Sequence, residues 1–498
     1  MKDLIYIITR GYTQTVLESS PEGWDDTLVN IERSTTLLGV LRAYSVSLKF
    51  MKDGARILRE AFYQDWINTG VQFEIRKLDR LLLTYNTEFT GIFDFTTFVD
   101  TQHSVEITVK DAGLSNYIKA NGKTKYDINV FDPNPSRFKF ETNIIEHTNL
   151  IRLVEVAFDL ITEGKFQQGV YGLDTSAIVT GLSNIVVTNG FALRGGTLYS
   201  VNTSFEDLLQ TIRALTGCSA GVEVVQGRDT LIFRHYTQLF KSASQVYDLG
   251  RASNIKVSPA QEFLCSRIKT GHVTPSYSDL SSKYEFNCIT EYVGPANGID
   301  KEFDISTRFR ADWTGIHSII QNPENESEDN EVFLLVLQDG QDIYRVPEYG
   351  QIKKVDNPSV ISTRNTRISP KRLFFLHEFY ISSLIGKHGL YASFASSDFD
   401  NINNMTAVQG GNYLNEGGGY SSDDPFYFKP VLIEFDAEIP RDFARTLMLN
   451  PYGFISFTYE GESYSGFIMK AGIKLYGRSS ARLTTLSHPN NNLTKLIR

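Results

Sequence analysis

His377-Glu378-Phe379 reads like the opening of a zinc-protease helix, in which two histidines four residues apart hold the metal and the glutamate takes a proton from water. The position four residues after His377 is Ile381, so the second ligand is missing and His377 reads as a histidine on a partly buried helix. His103, His235 and His272 have no cysteine or histidine neighbour at ligand spacing. The carboxylate pairs Glu302/Asp304, Glu434/Asp436 and Asp423/Asp424 could supply the acid and base of a glycosidase. Sequence spacing cannot set two carboxylates across a cleft, however, and a chain with 58 acidic residues contains many such pairs by chance. In "SSDFDNINN", Ser396 to Asn404, oxygen ligands recur at short intervals, but Ile402 falls where a calcium loop needs a ligand and the closing glutamate is absent, which leaves an Asx-rich turn. "GGNYLNEGGGY" from Gly410 lacks the Lys-Ser/Thr of a phosphate loop and suits a flexible connection. Cys218, Cys265 and Cys288 are odd in number and widely spaced, so they read as buried thiols. The residues therefore nominate no catalytic centre, no metal site and no cofactor.

The elements that would position such groups follow from periodicity. Tyr44, Val46 and Leu48 alternate as a strand, Ala55, Leu58, Ala61 and Phe62 repeat at helical spacing, and Val71, Phe73 and Ile75 return to alternation. Val105, Ile107 and Val109 predict another strand. Ser204 predicts a helix N-cap and Gly217 its stop, with Phe205, Leu208, Leu209, Ile212 and Leu215 on one face. Between Asp248 and Phe309, short alternating runs broken by Gly, Pro and Ser predict antiparallel sheet. Asn322 to Glu331 is acidic and lacks apolar residues, which predicts a solvated loop or hairpin tip. A helix is expected over 370–386, its apolar spacing running through Leu373, Leu376, Phe379 and Leu384, with Pro370 in the first turn and Gly386 as stop.

In "PYGFISFTYEGESYSGFIMKAGIKLYG", Pro451 to Gly477, Ile455, Phe457 and Tyr459 share one strand face, Gly461 sits in the turn, and Tyr464 begins the return strand. Gly466 and Gly472 predict a bend, a bulge or a close backbone approach. A short echo links "EFTGIFDF" at Glu88 to "SYSGFIMK" at Ser463.

The fold class expected is α+β and β-rich, with several antiparallel sheets or barrel modules and a few short amphipathic helices. Five modules are expected along the 498 residues: 1–135, β-rich with one helix; 136–250, α+β; 251–320, antiparallel β; 321–425, a central module with the 370–386 helix and the Gly-rich loop; and 426–498, C-terminal β. The 33 Phe and 25 Tyr favour strands and interfaces, and the clusters Phe374-Phe375 and Phe426-Tyr427-Phe428 read as core or subunit interface, with sugar stacking as the alternative. A net charge of −9 argues against a protein that grips nucleic acid through a basic face. No run approaches the ~20 apolar residues of a membrane span, so no stable membrane insertion is expected and synthesis in a cytoplasm is.

Several stretches occur in a familiar order: "DLGRASNIKVSPAQEFLCSRIKTGH", "YEFNCITEYVGP", "TRFRADWTGIH", "RNTRISPKRLFFLHEFYISSLI" and "LIEFDAEIPRDFARTLMLNPYGFISFTYEGESYSGFIMKAGIKL". With the N-terminal "DFTTFVDTQHSVEITVKDAGLSNYIKANGKTKYDINV", the chain resembles over most of its length a family of virion structural proteins from tailed phages and prophages of gut Bacteroidetes, including crAss-like phages. The sharpest marks are Glu285 to Asn287, Ser369 to Leu373 and Asn450 to Phe457. The passage from the 370–386 helix into the Asn-rich segment and the long Gly-rich linker departs from the family pattern.

The resemblance implies a non-enzymatic tail hub or baseplate component, located in the virion tail and made in the host bacterial cytoplasm. It implies a homo-oligomeric ring with other tail proteins (tube, ring or fibre subunits) as partners, and a lumen through which DNA passes without specific binding. The alternatives are a receptor- or carbohydrate-binding tail protein and a cell-wall-degrading tail enzyme.

Overall fold

The computed structural model describes residues 4–24, 28–33, 39–43, 45–68, 70–79, 83–128, 136–140, 143–196, 200–273, 289–293, 299–337, 343–344, 368–385, 393–395, 406–409, 412–415, 427–440, 443–474 and 479–494. The protein is α+β and β-rich, built from sheets whose pairings are mostly antiparallel, with short helices; parallel pairs join Lys139 to Ile343, Gly172 to Thr230 and Arg267 to Glu302. It divides into two compact units, the first gathering residues 1–117, 242–258 and 432–498 and the second residues 118–241 and 259–431.

The first unit begins with strands β1 (Leu4–Arg10), β2 (Thr13–Val16), β3 (Leu28–Arg33), β4 (Val40–Ala43) and β5 (Ser45–Met51), followed by helix α1 (Lys52–Asp65). Strands β6 (Gln72–Asp79), β7 (Thr84–Asp100) and β8 (Ser104–Asp111) complete its N-terminal part. Strand β9 (Lys241–Pro259) comes next, then β10 (Val431–Ile439), α2 (Phe443–Leu449), β11 (Gly453–Tyr459), β12 (Glu462–Lys474) and β13 (Ser479–Ser487). Helix α1 forms where the strand alternation stops and the apolar spacing changes to 3–4: Ala55, Leu58 and Ala61 are buried. Phe62 is half-buried and stacks on Phe98 at 4.1 Å.

Two sheets result. One has the order β2-β1-β6-β7-β8-β5, and Glu22, just after β2, makes a reciprocal backbone pair with Lys49 of β5. The other has the order β11-β9-β10-β13-β12-β3-β4, and β11 also pairs with β12, so that β11, β9, β10, β13 and β12 close into a five-stranded barrel. The 451–477 hairpin is thus the closing piece of a barrel. Glu460 and Gly461 both have positive φ in its turn, at 50° and 83°, the geometry of a two-residue type I′ connection. Ile455 and Phe457 are fully buried, Tyr459 is half-buried, and Phe457 stacks on Phe435 at 3.9 Å between centroids.

The two sheets repeat one topology. In each, a strand and a helix are followed by a three-strand meander whose last strand returns to pair antiparallel with the first: β5–α1–β6–β7–β8 with β5 on β8, and β10–α2–β11–β12–β13 with β10 on β13. Gly91 opposes Asp111, the last residue of β8, and Gly466 opposes Ser487, the last residue of β13. Phe89 opposes Ile75 and Tyr464 opposes Phe457, and all four are buried. Both long strands bulge a few residues later, between Asp94 and Val99 and between Ile468 and Lys470. The echo between "EFTG" and "SYSG" marks these equivalent positions. We call the two copies the first and second β-module.

The second unit holds five sheets among its described residues, the largest ordered Val332–Val336, Ile185–Asn189, Asn143–Asn149, Ser136–Phe140, Ile343–Tyr344. Its helix Phe205–Thr216 starts where the Ser204 side chain accepts from the Asp207 amide at 3.1 Å and stops at Gly217, φ +66°. The expected 370–386 helix is instead two, Pro370–Leu376 and Glu378–Ile385, interrupted at His377. Leu373 and Leu384 are buried as their spacing predicts, whereas Phe379 is 39% exposed and Tyr380 and Ile381 are buried beside the interruption. Within the Gly-rich stretch, Asn412–Asn415 form a strand paired with Thr406–Gln409; residues 416–425 lie outside the described residues.

Candidate functional site

Among the described residues, the groups that could have carried chemistry are dispersed. His377 is buried, its Nδ1 2.8 Å from the Tyr236 hydroxyl and its Nε2 3.3 Å from the Ala214 carbonyl. Burial pushes its pKa down to about 3. His272 is likewise buried, with Nδ1 2.7 Å from Thr307 Oγ1 and Nε2 2.7 Å from the Ile368 carbonyl, and burial lowers its pKa to about 4. His235 accepts from the Thr237 amide at the start of a helical turn, and burial lowers its pKa too. His103 is exposed. Cys218 and Cys265 are buried thiols whose pKa burial raises, that of Cys265 to about 12, so neither is poised as a thiolate. Cys288 lies outside the described residues.

Two of the carboxylate pairs, Glu302/Asp304 and Glu434/Asp436, sit on strands and face basic, hydroxyl or amide neighbours. Glu302 pairs with Lys269 at 2.8 Å, and Asp304 pairs with Arg308 at 3.1 Å while accepting from Ser306. Glu434 pairs with Arg482 at 3.2 Å, and Asp436 accepts from Asn254 at 2.8 Å. Asp423/Asp424, the Ser396–Asn404 segment, Glu285 to Asn287, Phe426 and Gly386 lie outside the described residues. Among the described residues, no three His, Cys, Asp or Glu side chains gather as a metal site, and no helix is long and apolar enough to cross a membrane. Of the aromatic clusters, Phe374 and Phe428 are core, and Phe375 is 45% exposed.

The acidic 322–331 segment does more than meet solvent. Glu328 accepts from Arg310 Nη1 at 2.7 Å, and Asp329 takes both Nε and Nη2 of Arg194 at 2.6 and 2.7 Å. Arg310 is itself buried, with a two-bond pairing to buried Asp312 at 2.8 and 2.7 Å and the Phe333 ring 4.6 Å from its guanidinium carbon. Gly190 lets the loop approach, since a Cβ there would collide with the Glu328 carbonyl. Carboxylate charge is an excess at the level of composition, yet here it anchors a loop to two arginines.

The arrangement that could act between molecules is strand addition. In the first unit, the β3–β4 hairpin, which precedes β5 of the first module, leaves that module and pairs through β3 with β12 of the second, from Glu32↔Lys470 to Leu28↔Lys474. Arg33 secures it: buried, it donates to the Ile468 and Pro451 carbonyls at 3.2 and 3.3 Å, with the Tyr452 ring 5.8 Å from its guanidinium carbon. Sequence reasoning missed this joint, although the alternation in "LVNIER" was a signal for its strand.

No protein-family model and no curated protein matches the chain. The solved structures that the chain is similar to include tail proteins and a component of a type VI secretion system. A prophage tail protein from Listeria monocytogenes is 8% identical, with 99% of this chain and 97% of that one covered and a TM-score of 0.38. A tail protein from Neisseria meningitidis is 8% identical over 98% and 97%, TM-score 0.39, and the 43 kDa tail protein of a Shewanella oneidensis prophage is 11% identical over 98% and 97%, TM-score 0.37.

Proposed function

We propose that this chain is a non-enzymatic structural subunit of a bacteriophage tail, a hub or baseplate ring component that links the tail tube to tail-tip proteins and contributes to the DNA exit channel. The observation that carries the reading is the joint between the modules: one copy of a β-module lends a hairpin to the sheet of the next copy, head to tail. A head-to-tail contact between like modules leaves a donor at one end and an acceptor at the other, and it generates a closed ring when the rotation closes. The family resemblance supports the same assignment. The net charge of −9 suits a channel that DNA passes through, because a like-charged lining makes no phosphate contacts that would hold the duplex.

Native mass spectrometry and negative-stain imaging of the purified chain test this reading. A closed ring, alone or with a second tail protein, is expected. A stable monomer with glycan affinity would overturn it in favour of a receptor-binding protein. Antibody labelling of phage particles would place the ring at the tail tip.

A further inference from the structure

The joint inside the chain implies a second one between chains. Past the bulges, Val99 of β7 pairs with Glu106, five residues before the Asp111 that faces Gly91. In the second module the Ala471–Leu483 pair brings Gly472 to the equivalent level, and Gly472 pairs on its other side with Asn30 of β3. On the corresponding side of β7, β6 ends at Gln72↔Ile92, with one further bond from the Phe93 amide to the Val71 carbonyl. Among the described residues no strand lies beyond that point. Among the described residues, the place filled by a hairpin in the second module therefore holds none in the first. It is bordered by apolar side chains in water: Val99 is 54% exposed, Tyr63 69%, Trp66 60% and Ile67 44%. Phe62 joins them, stacked on Phe98 and 4.8 Å from Trp66.

The chain also carries a hairpin that has no third strand among the described residues. Thr406–Gln409 pairs with Asn412–Asn415 and, among the described residues, with no other strand. An isolated two-stranded hairpin is marginal in water and gains stability from a third strand. This hairpin also holds the equivalent place in the element order: among the described residues it is the last hairpin before β10, as β3–β4 is the last before β5.

We propose that the 406–415 hairpin of one copy adds to the Val99 edge of β7 in a neighbouring copy, as β3–β4 adds to β12 within the chain. Main-chain bonds supply the pairing, and the Tyr63, Trp66 and Val99 patch supplies the apolar footing. The inference rests on the ring reading above and names its donor and acceptor.

The test uses two full-length variants in a Cys288→Ser background, one carrying Val99→Cys and the other Leu414→Cys, mixed during assembly and oxidised. A covalent dimer that needs both variants is expected. In a separate variant, replacing residues 406–415 with a Gly-Ser linker is expected to abolish the oligomer while near-UV circular dichroism stays native. An oligomer without the mixed disulfide, or one that persists without the hairpin, overturns this proposal and leaves the ring reading intact. So does a cross-link formed only within one chain when both cysteines are placed in it. Failure of the parent chain to form any oligomer overturns both.

Discussion

The two β-modules of the first unit solve one packing problem with different residues. Each drives a long central strand through its sheet at a glycine that cannot be replaced without collision. A Cβ at Gly91 would meet Val109 and lie 2.9 Å from the Lys110 carbonyl; at Gly466 it would lie 2.7 Å from Thr485 Cβ and 2.9 Å from the Leu486 carbonyl. Lys110 and Leu486 hold the same place, next to last in their strands. What differs is what each module does with its open side. The second has its β12 edge covered by β3, with Arg33 fastening it, whereas the first leaves the corresponding edge with apolar groups in water. The comparison teaches that a duplicated topology can hold its core geometry while its edges diverge.

The most severe test of the equivalence is a buried charge at paired positions. Ile75→Asp and Phe457→Asp place a carboxylate opposite Phe89 and Tyr464, both in the core, and each should cost about 4 kcal/mol or more. Soluble yield and urea denaturation measure the cost. Tolerance at one position but not the other would break the comparison.

Acid reaches the second unit by a separate route. His272 and His377 have native pKa values lowered to about 4 and about 3 from an ordinary 6.5. The folded protein stays unprotonated there while the unfolded chain takes up protons. Their contribution is therefore fully retained above pH 6.5 and declines as pH falls towards those native values. Each histidine should remove about 1.4 kcal/mol per pH unit below 6.5, or about 3 kcal/mol together by about pH 5.5. Urea titrations across pH measure the slope, which His377→Gln should roughly halve if both histidines remain neutral in the fold.

Gly91→Ala and Gly466→Ala should each destabilise by about 2 kcal/mol through overpacking, measured by urea denaturation. Similar values sharpen the equivalence, while a cost at one alone would mean that only that strand is tightly held. Arg33→Ala should cost about 1–2 kcal/mol by stripping the Ile468 and Pro451 carbonyls of a buried donor. Hydrogen exchange should then speed up at the β3 amides, with the β7 amides of the first module as the unaffected control.

Much of this architecture was legible along the chain. The helix between strands at Lys52–Asp65, the Ser204 cap with its Gly217 stop, and the hairpin with Gly461 in its turn are all set by periods, caps and turn residues that act over a few positions. The helix after Ser369 was only half legible. Its cap and proline are local signals, whereas the interruption at His377 follows partners far away in sequence, Tyr236 and Ala214. The same holds for the acidic 322–331 segment, whose polarity was visible but whose arginine partners were not.

By itself, then, the sequence determined a β-rich α+β protein with short helices, buried thiols and no clustered catalytic motif, because strand alternation, caps and ligand spacing are properties of neighbouring residues. Only the tertiary structure decided that residues 28–33 lie against residues 470–474, that five strands drawn from two separate stretches close a barrel, and that one topology occurs twice. The physical reason is that a strand's edge bonds are made by backbone groups common to nearly every residue. The choice of partner is thus written in which edges remain open once the cores have packed.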